Sequence, residues 1–240
     1  HPFPGAPEAE VLGLIDTVRD RGGDGYFLML HGDATYEIPT GDDMMEFTSW
    51  VCEAPEKAKA EADRRVNDML GHAERLAKHG GLDGFALCSD YCFNTNPFLP
   101  PPMFAEFVTP YLRRLIAGQR DLGFHVIKHT DGNVMPIIDQ IVECNPHALH
   151  SLDPQAGIDI AEVKRDYGDR VCLIGNVNCG LLTTGADDEV VENARYALRH
   201  GMPGGGYIFS TSNCVFTGMP LERYELMWRV WREEGGYPGS

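Results

Sequence analysis

Basic residues are scarce in this chain. Twenty lysines and arginines face 36 aspartates and glutamates, a formal charge of −16. Nucleic acid and anionic membrane surfaces both need a clustered basic face, so neither is expected as a partner, and an acidic shell of this kind predicts a cytoplasmic protein. Long apolar runs are missing too: the longest is about six residues, too short to cross a bilayer. The seven cysteines stand singly, without the paired spacing of a disulfide framework, which predicts reduced thiols. No glycine-rich phosphate fingerprint follows the first apolar run, where "HGDATYEIPTG" stands instead. Neither a charged leader nor a signal-like apolar stretch opens the sequence, and "HPFPGAPEAE" reads as a cut edge or a loop.

What is present suffices for one large α/β domain, with 240 residues and 43% hydrophobic content. Short apolar runs of strand length occur at 26–30, 85–89, 125–129, 148–152, 171–175 and 207–212. Helical patterns lie between them. A leading helix is expected over about 8–21, a long amphipathic helix over 55–79 with Pro55 in its first turn, and a third over 101–123, ending at Gly123. Later helices are expected near 134–144, 159–167, 187–200 and 220–233, with Asp187 and Asp188 placing negative charge at a helix start.

Strands alternating with crossover helices predict a parallel sheet flanked by helices. His31 and Asp33, Asp90 and Tyr91, His129 and Asp131, Asp153, Asn176 and Asn178, and Ser212 and Cys214 all fall at or just beyond the end of an apolar run. A (β/α)8 TIM barrel brings all such ends to one face, whereas an open sheet would converge only some of them. The expectation is therefore a single barrel domain over 1–240. Six strands are legible where a ring needs eight, and the deficit falls before residue 26, so an amino-terminal part of roughly a hundred residues is expected to be missing.

His129 and Asp131 sit one residue apart where the third run stops, and alternate residues of a strand point the same way. Two readings are open: the pair are ligands of one cation, or Asp131 caps the helix that starts near Val134. Gly132 and Asn133 fit a tight βα turn under either. Cys214, 83 positions beyond Asp131, would reach the same face after the last run and complete a zinc tripod with room for water or substrate, or else serve as a small buried hydrophobe. His31 and Asp33, before Tyr36, are candidates for acid–base work or a fourth ligand. Asp90, as an acid or base, and Tyr91, against substrate, are weighed against capping and packing. Asp153 is a mouth residue or a turn aspartate. Asn176 and Asn178 either support loops or touch a ligand, Ser212 is a substrate-binding candidate, and Gly204 to Gly206 serve turn geometry.

The segments "FLPPPMFAEFVTPYLRRLI", "HTDGN", "LDPQAGIDIAEVKRDYGDRVCLIGNVNCGLLTTGADDEVVENARYAL" and "GGGYIFSTSNCVFTGMPLERYELM" resemble the carboxy-terminal two-thirds of the uroporphyrinogen decarboxylase superfamily. The resemblance covers nearly all of 26–234 and implies the (β/α)8 barrel. Its decarboxylase branch implies a tetrapyrrole site with a tyrosine and a serine that Tyr36 and Ser89 would match. That branch's histidine is absent, its place taken by Asn213 or Cys214, and its arginine-bearing segment lies outside this chain. The corrinoid-dependent methyltransferase branch implies zinc held by an H-x-C pair and a later cysteine. "HTDGN" is similar to its "H-x-C-G-N", carrying His129 and Asp131 onto the first two ligands and Cys214 onto the third, with aspartate in place of a cysteine. That resemblance implies a methyl donor or acceptor of small size, zinc, and a corrinoid on a partner protein. A decarboxylase or a non-catalytic ligand-binding barrel are the alternatives, and a homodimer is an open expectation.

Overall fold

The computed structural model describes residues 7–41 and 43–237. Six strands, β1 (Met29–His31), β2 (Gly84–Leu87), β3 (His125–His129), β4 (Ala148–His150), β5 (Cys172–Val177) and β6 (Tyr207–Thr211), form one sheet. Each pairs in parallel with the next in sequence, so spatial order equals chain order. Helices occupy the crossovers: α2 (Asp43–Glu53) and α3 (Pro55–His79) after β1, α4 (Pro101–Phe107) and α5 (Thr109–Asp121) after β2, and α6 (Ile138–Glu143) after β3. Helix α7 (Ile160–Tyr167) follows β4, α8 (Cys179–Thr184) and α9 (Asp187–Gly201) follow β5, and α10 (Leu221–Glu234) follows β6, while α1 (Glu8–Gly22) precedes the sheet. This is the wall of a barrel of the TIM type. Among the described residues β1 and β6 are its two edges, and the ring is not closed.

Alternation along the strands divides the two faces. Val126 and Lys128 of β3, and Tyr207, Phe209 and Thr211 of β6, are buried on the side that carries the helices. The opposite side is open: Met29 on β1 and Ile208 on β6 are 46% and 51% exposed. Helix α3 packs through Ala58, Ala62, Val66, Ala73 and Leu76, a mostly small-residue stripe at helical spacing that is almost wholly buried.

Sequence and structure differ at several boundaries. The first run begins three residues later than expected, because Leu28 N–H donates to the Asp83 carboxylate at 2.6 Å instead of joining the ladder, and Tyr26 and Phe27 lie exposed. The helix expected over 101–123 is two: Pro110 has no N–H to offer the carbonyl four residues back, and the backbone breaks at Val108. Pro136 similarly makes the start of the next helix a 3-10 turn, Met135–Ile137. Helices α2 and α8 escaped the sequence reading; α8 is short and is started by Asn178, whose side chain accepts from Gly180 N–H at 2.8 Å.

Candidate metal centre

The ends of β2 and β3 meet because the two strands are neighbours in the sheet. Past Leu87 the chain carries Asp90, and past Lys128 it carries His129 and Asp131. The His129 Nε2 lies 3.7 Å from Asp131 Oδ1 and 3.9 Å from Asp90 Oδ1. One ligand atom from each of the three lies within 4.8 Å of the others. The Asp131 N–H donates to Asp90 Oδ1 at 2.9 Å, and the Asn213 amide donates to Asp131 Oδ2 at 2.5 Å. That leaves Asp131 Oδ1 facing the imidazole, buried and without a hydrogen-bond partner, one of two such side-chain atoms among the described residues (the other is Gln119 Oε1). Asp90 is the open side of the group, its side chain 47% exposed against 17% for His129.

Burial lowers the proton affinity of His129, with Asp131 and Asp90 opposing and Lys128 and His31 adding to the fall. Its ring contacts His150 on β4, the two Nδ1 atoms 2.8 Å apart. Burial, with His129 beside it, pushes His150 down to about 4. Two carboxylates thus flank an imidazole whose burial disfavours its protonated form, an arrangement that favours a cation among them.

The floor beneath this group is a buried ion pair. Lys128 Nζ donates to Asp33 Oδ2 at 2.8 Å, to Ser89 O at 3.0 Å and to Leu87 O at 3.2 Å, and lies 4.1 Å over the Tyr91 ring. Asp33 also accepts from the Thr35 N–H and hydroxyl and from Ser89 N–H. Tyr91 OH shares a hydrogen bond with Thr35, and Tyr91 N–H donates to the Thr130 hydroxyl. Residues 89–91 and 128–131 are thereby fixed to one another, and with them Asp90, His129 and Asp131.

Burial alone would raise the Asp33 carboxyl; the Lys128 charge and the hydrogen bonds from Lys128 and Thr35 outweigh it and hold it at about 2. A carboxylate with a folded-state pKa below its unfolded 3.8 contributes stability that is complete above pH 3.8 and lost as pH falls from there towards about 2. Acid titration followed by circular dichroism is expected to show about 2 kcal/mol lost across that window, and an Asp33→Asn variant is expected to lack this step.

Several candidates from the sequence take other roles. Asp33 is the partner of Lys128, not a free acid or base. Tyr36 is buried, donates its hydroxyl to Ala58 O at 2.7 Å and is pushed up to about 12 by burial, so it packs α3 and does not face the open side. Tyr91 is equally committed to the floor. Asp153 accepts from Gln155 N–H at 3.0 Å as a turn aspartate. Asn176 donates to Leu152 O at 2.9 Å, supporting a loop, and Asn178 caps α8. Ser212 is buried with its hydroxyl 3.5 Å from Cys179 N. His31 stays exposed at the end of β1. Cys214 is exposed and is not one of the three clustered side chains; its neighbour Asn213 reaches Asp131 instead. Asp90, not Cys214, is the third side chain of the cluster. Sequence reasoning missed His150 and Lys128, although a lysine inside a run of strand length is a signal of a buried charge needing a partner.

Gly132 closes the turn after Asp131 with φ of +81°, and a Cβ there would lie 2.4 Å from Cys92 O. Gly132→Ala is expected to destabilise the fold by about 1–3 kcal/mol in urea titrations and to weaken any ligand held by Asp131, because the clash is with backbone that cannot rotate away.

The family model for "Uroporphyrinogen decarboxylase (URO-D)" matches residues 34–234. The chain is 24% identical over 157 residues to the methylcobamide:CoM methyltransferase MtaA of Methanosarcina barkeri, covering 65% of this chain and 44% of that protein. It is 27% identical over 135 residues to the uroporphyrinogen decarboxylase of Thioalkalivibrio sulfidiphilus, covering 52% of this chain and 35% of that protein. The chain therefore spans less than half the length of these curated relatives. A methyltransferase from Methanosarcina mazei superposes with a TM-score of 0.78 at 20% identity, covering 98% of this chain and 71% of that one, a likeness of fold. No helix among the described residues is long and apolar enough to cross a membrane. With the family match over most of its length and the six parallel strands in chain order, this chain belongs to the uroporphyrinogen decarboxylase (URO-D) family.

Proposed function

We propose that Asp90, His129 and Asp131 hold one divalent cation, and that the chain is part of a metal-assisted methyltransferase. A methyl group would pass between a small methylated compound, or a thiol, and a corrinoid carried by a partner protein. The observation that supports the cation most is the orphaned Asp131 Oδ1. A buried acceptor without a partner costs about 1–3 kcal/mol, and more when charged, and a cation between it and His129 Nε2 removes that cost. The separations of 3.7 and 3.9 Å need to close by only a few tenths of an ångström, since zinc bonds of about 2.0–2.2 Å put tetrahedral ligands about 3.4 Å apart. One nitrogen and two oxygens make a hard donor set that zinc or a neighbouring divalent metal accepts.

When bound, the ion supplies Lewis acidity to the heteroatom that gains or loses methyl. The chain's own residues hold the donors: Asn213 fixes one Asp131 oxygen, the Asp131 N–H fixes Asp90, and the Lys128–Asp33 floor fixes both strand ends. The exposed side of Asp90 leaves a way in for substrate. The six strands would be part of one closed barrel that works in the cytoplasm. Methyl transfer has more support than tetrapyrrole decarboxylation, because Tyr36 and Ser89, the side chains that would match the decarboxylase tyrosine and serine, spend their hydroxyls on Ala58 O and Thr35 O.

The test uses the full-length protein purified without chelators, assayed for metal content and for loss of methyl from methylcobalamin to thiol acceptors. The expected result is one divalent metal per chain and transfer that stops on chelation and returns on remetallation. Metal-free protein that converts uroporphyrinogen to products with fewer carboxylates would overturn the proposal.

A further inference from the structure

We propose that His150 is a positioning residue that decides which nitrogen of His129 is presented to the cation; the idea rests on the cation reading above. The two imidazoles and the Thr211 carbonyl form a relay of single protons. The Thr211 carbonyl oxygen can only accept, so His150 Nε2, 3.2 Å from it, carries a hydrogen. A neutral imidazole has one N–H, which leaves His150 Nδ1 bare. That bare nitrogen lies 2.8 Å from His129 Nδ1 and accepts its hydrogen. His129 then has no hydrogen on Nε2, and this lone pair faces the Asp131 and Asp90 oxygens.

The consequence is specific. Two carboxylates beside an imidazole would otherwise draw its proton to Nε2, and that proton would have to be displaced before a metal could bind. His150 holds the proton on the far nitrogen. The rings sit on paired residues of adjacent strands, centroids 4.9 Å apart, so the sheet register itself sets the contact. The end of β6 braces both halves of the group, Thr211 through His150 and Asn213 through Asp131.

The experiment compares wild type with His150→Phe, which keeps a ring and loses the acceptor, and His150→Gln, whose amide can accept from His129 and donate to Thr211. Long-range 15N–1H spectra of metal-free protein report the His129 tautomer directly. Wild type and His150→Gln are expected to hold the proton on Nδ1, and His150→Phe to move it to Nε2. Zinc affinity, by competition with a chromogenic chelator, is expected to fall about 10- to 100-fold in His150→Phe, the range for outer partners of a ligand histidine, and to be largely rescued in His150→Gln. Wild type with the proton on Nε2 overturns the relay whether or not either variant folds. His150→Phe with the wild-type tautomer and affinity overturns it as well. Failure of wild type to bind zinc counts against the cation reading, whereas the tautomer spectra judge His150 separately.

Discussion

Asp131→Asn is expected to weaken zinc binding by more than the 10- to 100-fold attributable to an outer partner, because it removes a charged ligand itself. The substitution keeps the shape of the side chain and an oxygen for the Asn213 contact, and it exchanges the orphaned buried carboxylate oxygen for an amide group without charge. The metal-free variant is therefore expected to be at least as stable as wild type. The difference appears on adding zinc. A ligand that binds only the folded state stabilises by RT ln(1 + [L]/Kd), about 2.7 kcal/mol at a hundredfold excess over Kd, so the wild-type melting temperature is expected to rise and that of Asp131→Asn to stay put. Scanning calorimetry with and without zinc checks both halves. A zinc-dependent rise in the variant equal to that of wild type would mean that the metal sits elsewhere.

The second large effect concerns the floor. Lys128→Met is expected to cost about 3–5 kcal/mol in urea or guanidinium unfolding, the range for removing one partner of a buried ion pair. Lys128 and Asp33 have side chains 0% and 1% exposed, so neither charge can turn to water when its partner is lost. The carbonyls of Leu87 and Ser89 would lose their donor in the same step. Pairing Lys128→Met with Asp33→Asn is expected to cost less than the sum of the two single changes, since the second removes the stranded carboxylate. Because Ser89 and Lys128 precede Asp90 and His129 in the chain, the single variant is also expected to bind zinc more weakly. Full wild-type stability in Lys128→Met would contradict the role assigned to the pair.

Much of the architecture was legible. Apolar runs of strand length alternating with amphipathic stretches set the β/α order, and "HVIKH" coincides with β3 residue for residue. Polar residues at run ends pointed to a common rim. What the one-dimensional reading could not do was rank distances around that rim. The end of β6 does reach the group, but through Asn213, which bonds Asp131, so Asp90 joins His129 and Asp131 in the cluster while the Cys214 thiol is exposed. Tyr36 and Asp33 misled for a related reason: a polar residue just past a strand can turn back under the helices, where Tyr36 meets Ala58 O and Asp33 meets Lys128. His150 stayed hidden because "ALHSL" reads as strand interior, and its meaning comes only from the register that pairs it with His129.

X-ray absorption at the zinc edge, on protein loaded with one equivalent of zinc, reads the ligand set of the ion itself. If Asp90, His129 and Asp131 share the ion, the inner shell contains only nitrogen and oxygen, at about 2.0–2.2 Å. An inner shell with sulfur at about 2.3 Å would bring Cys214 in and contradict the assignment, as would protein that retains no zinc after desalting.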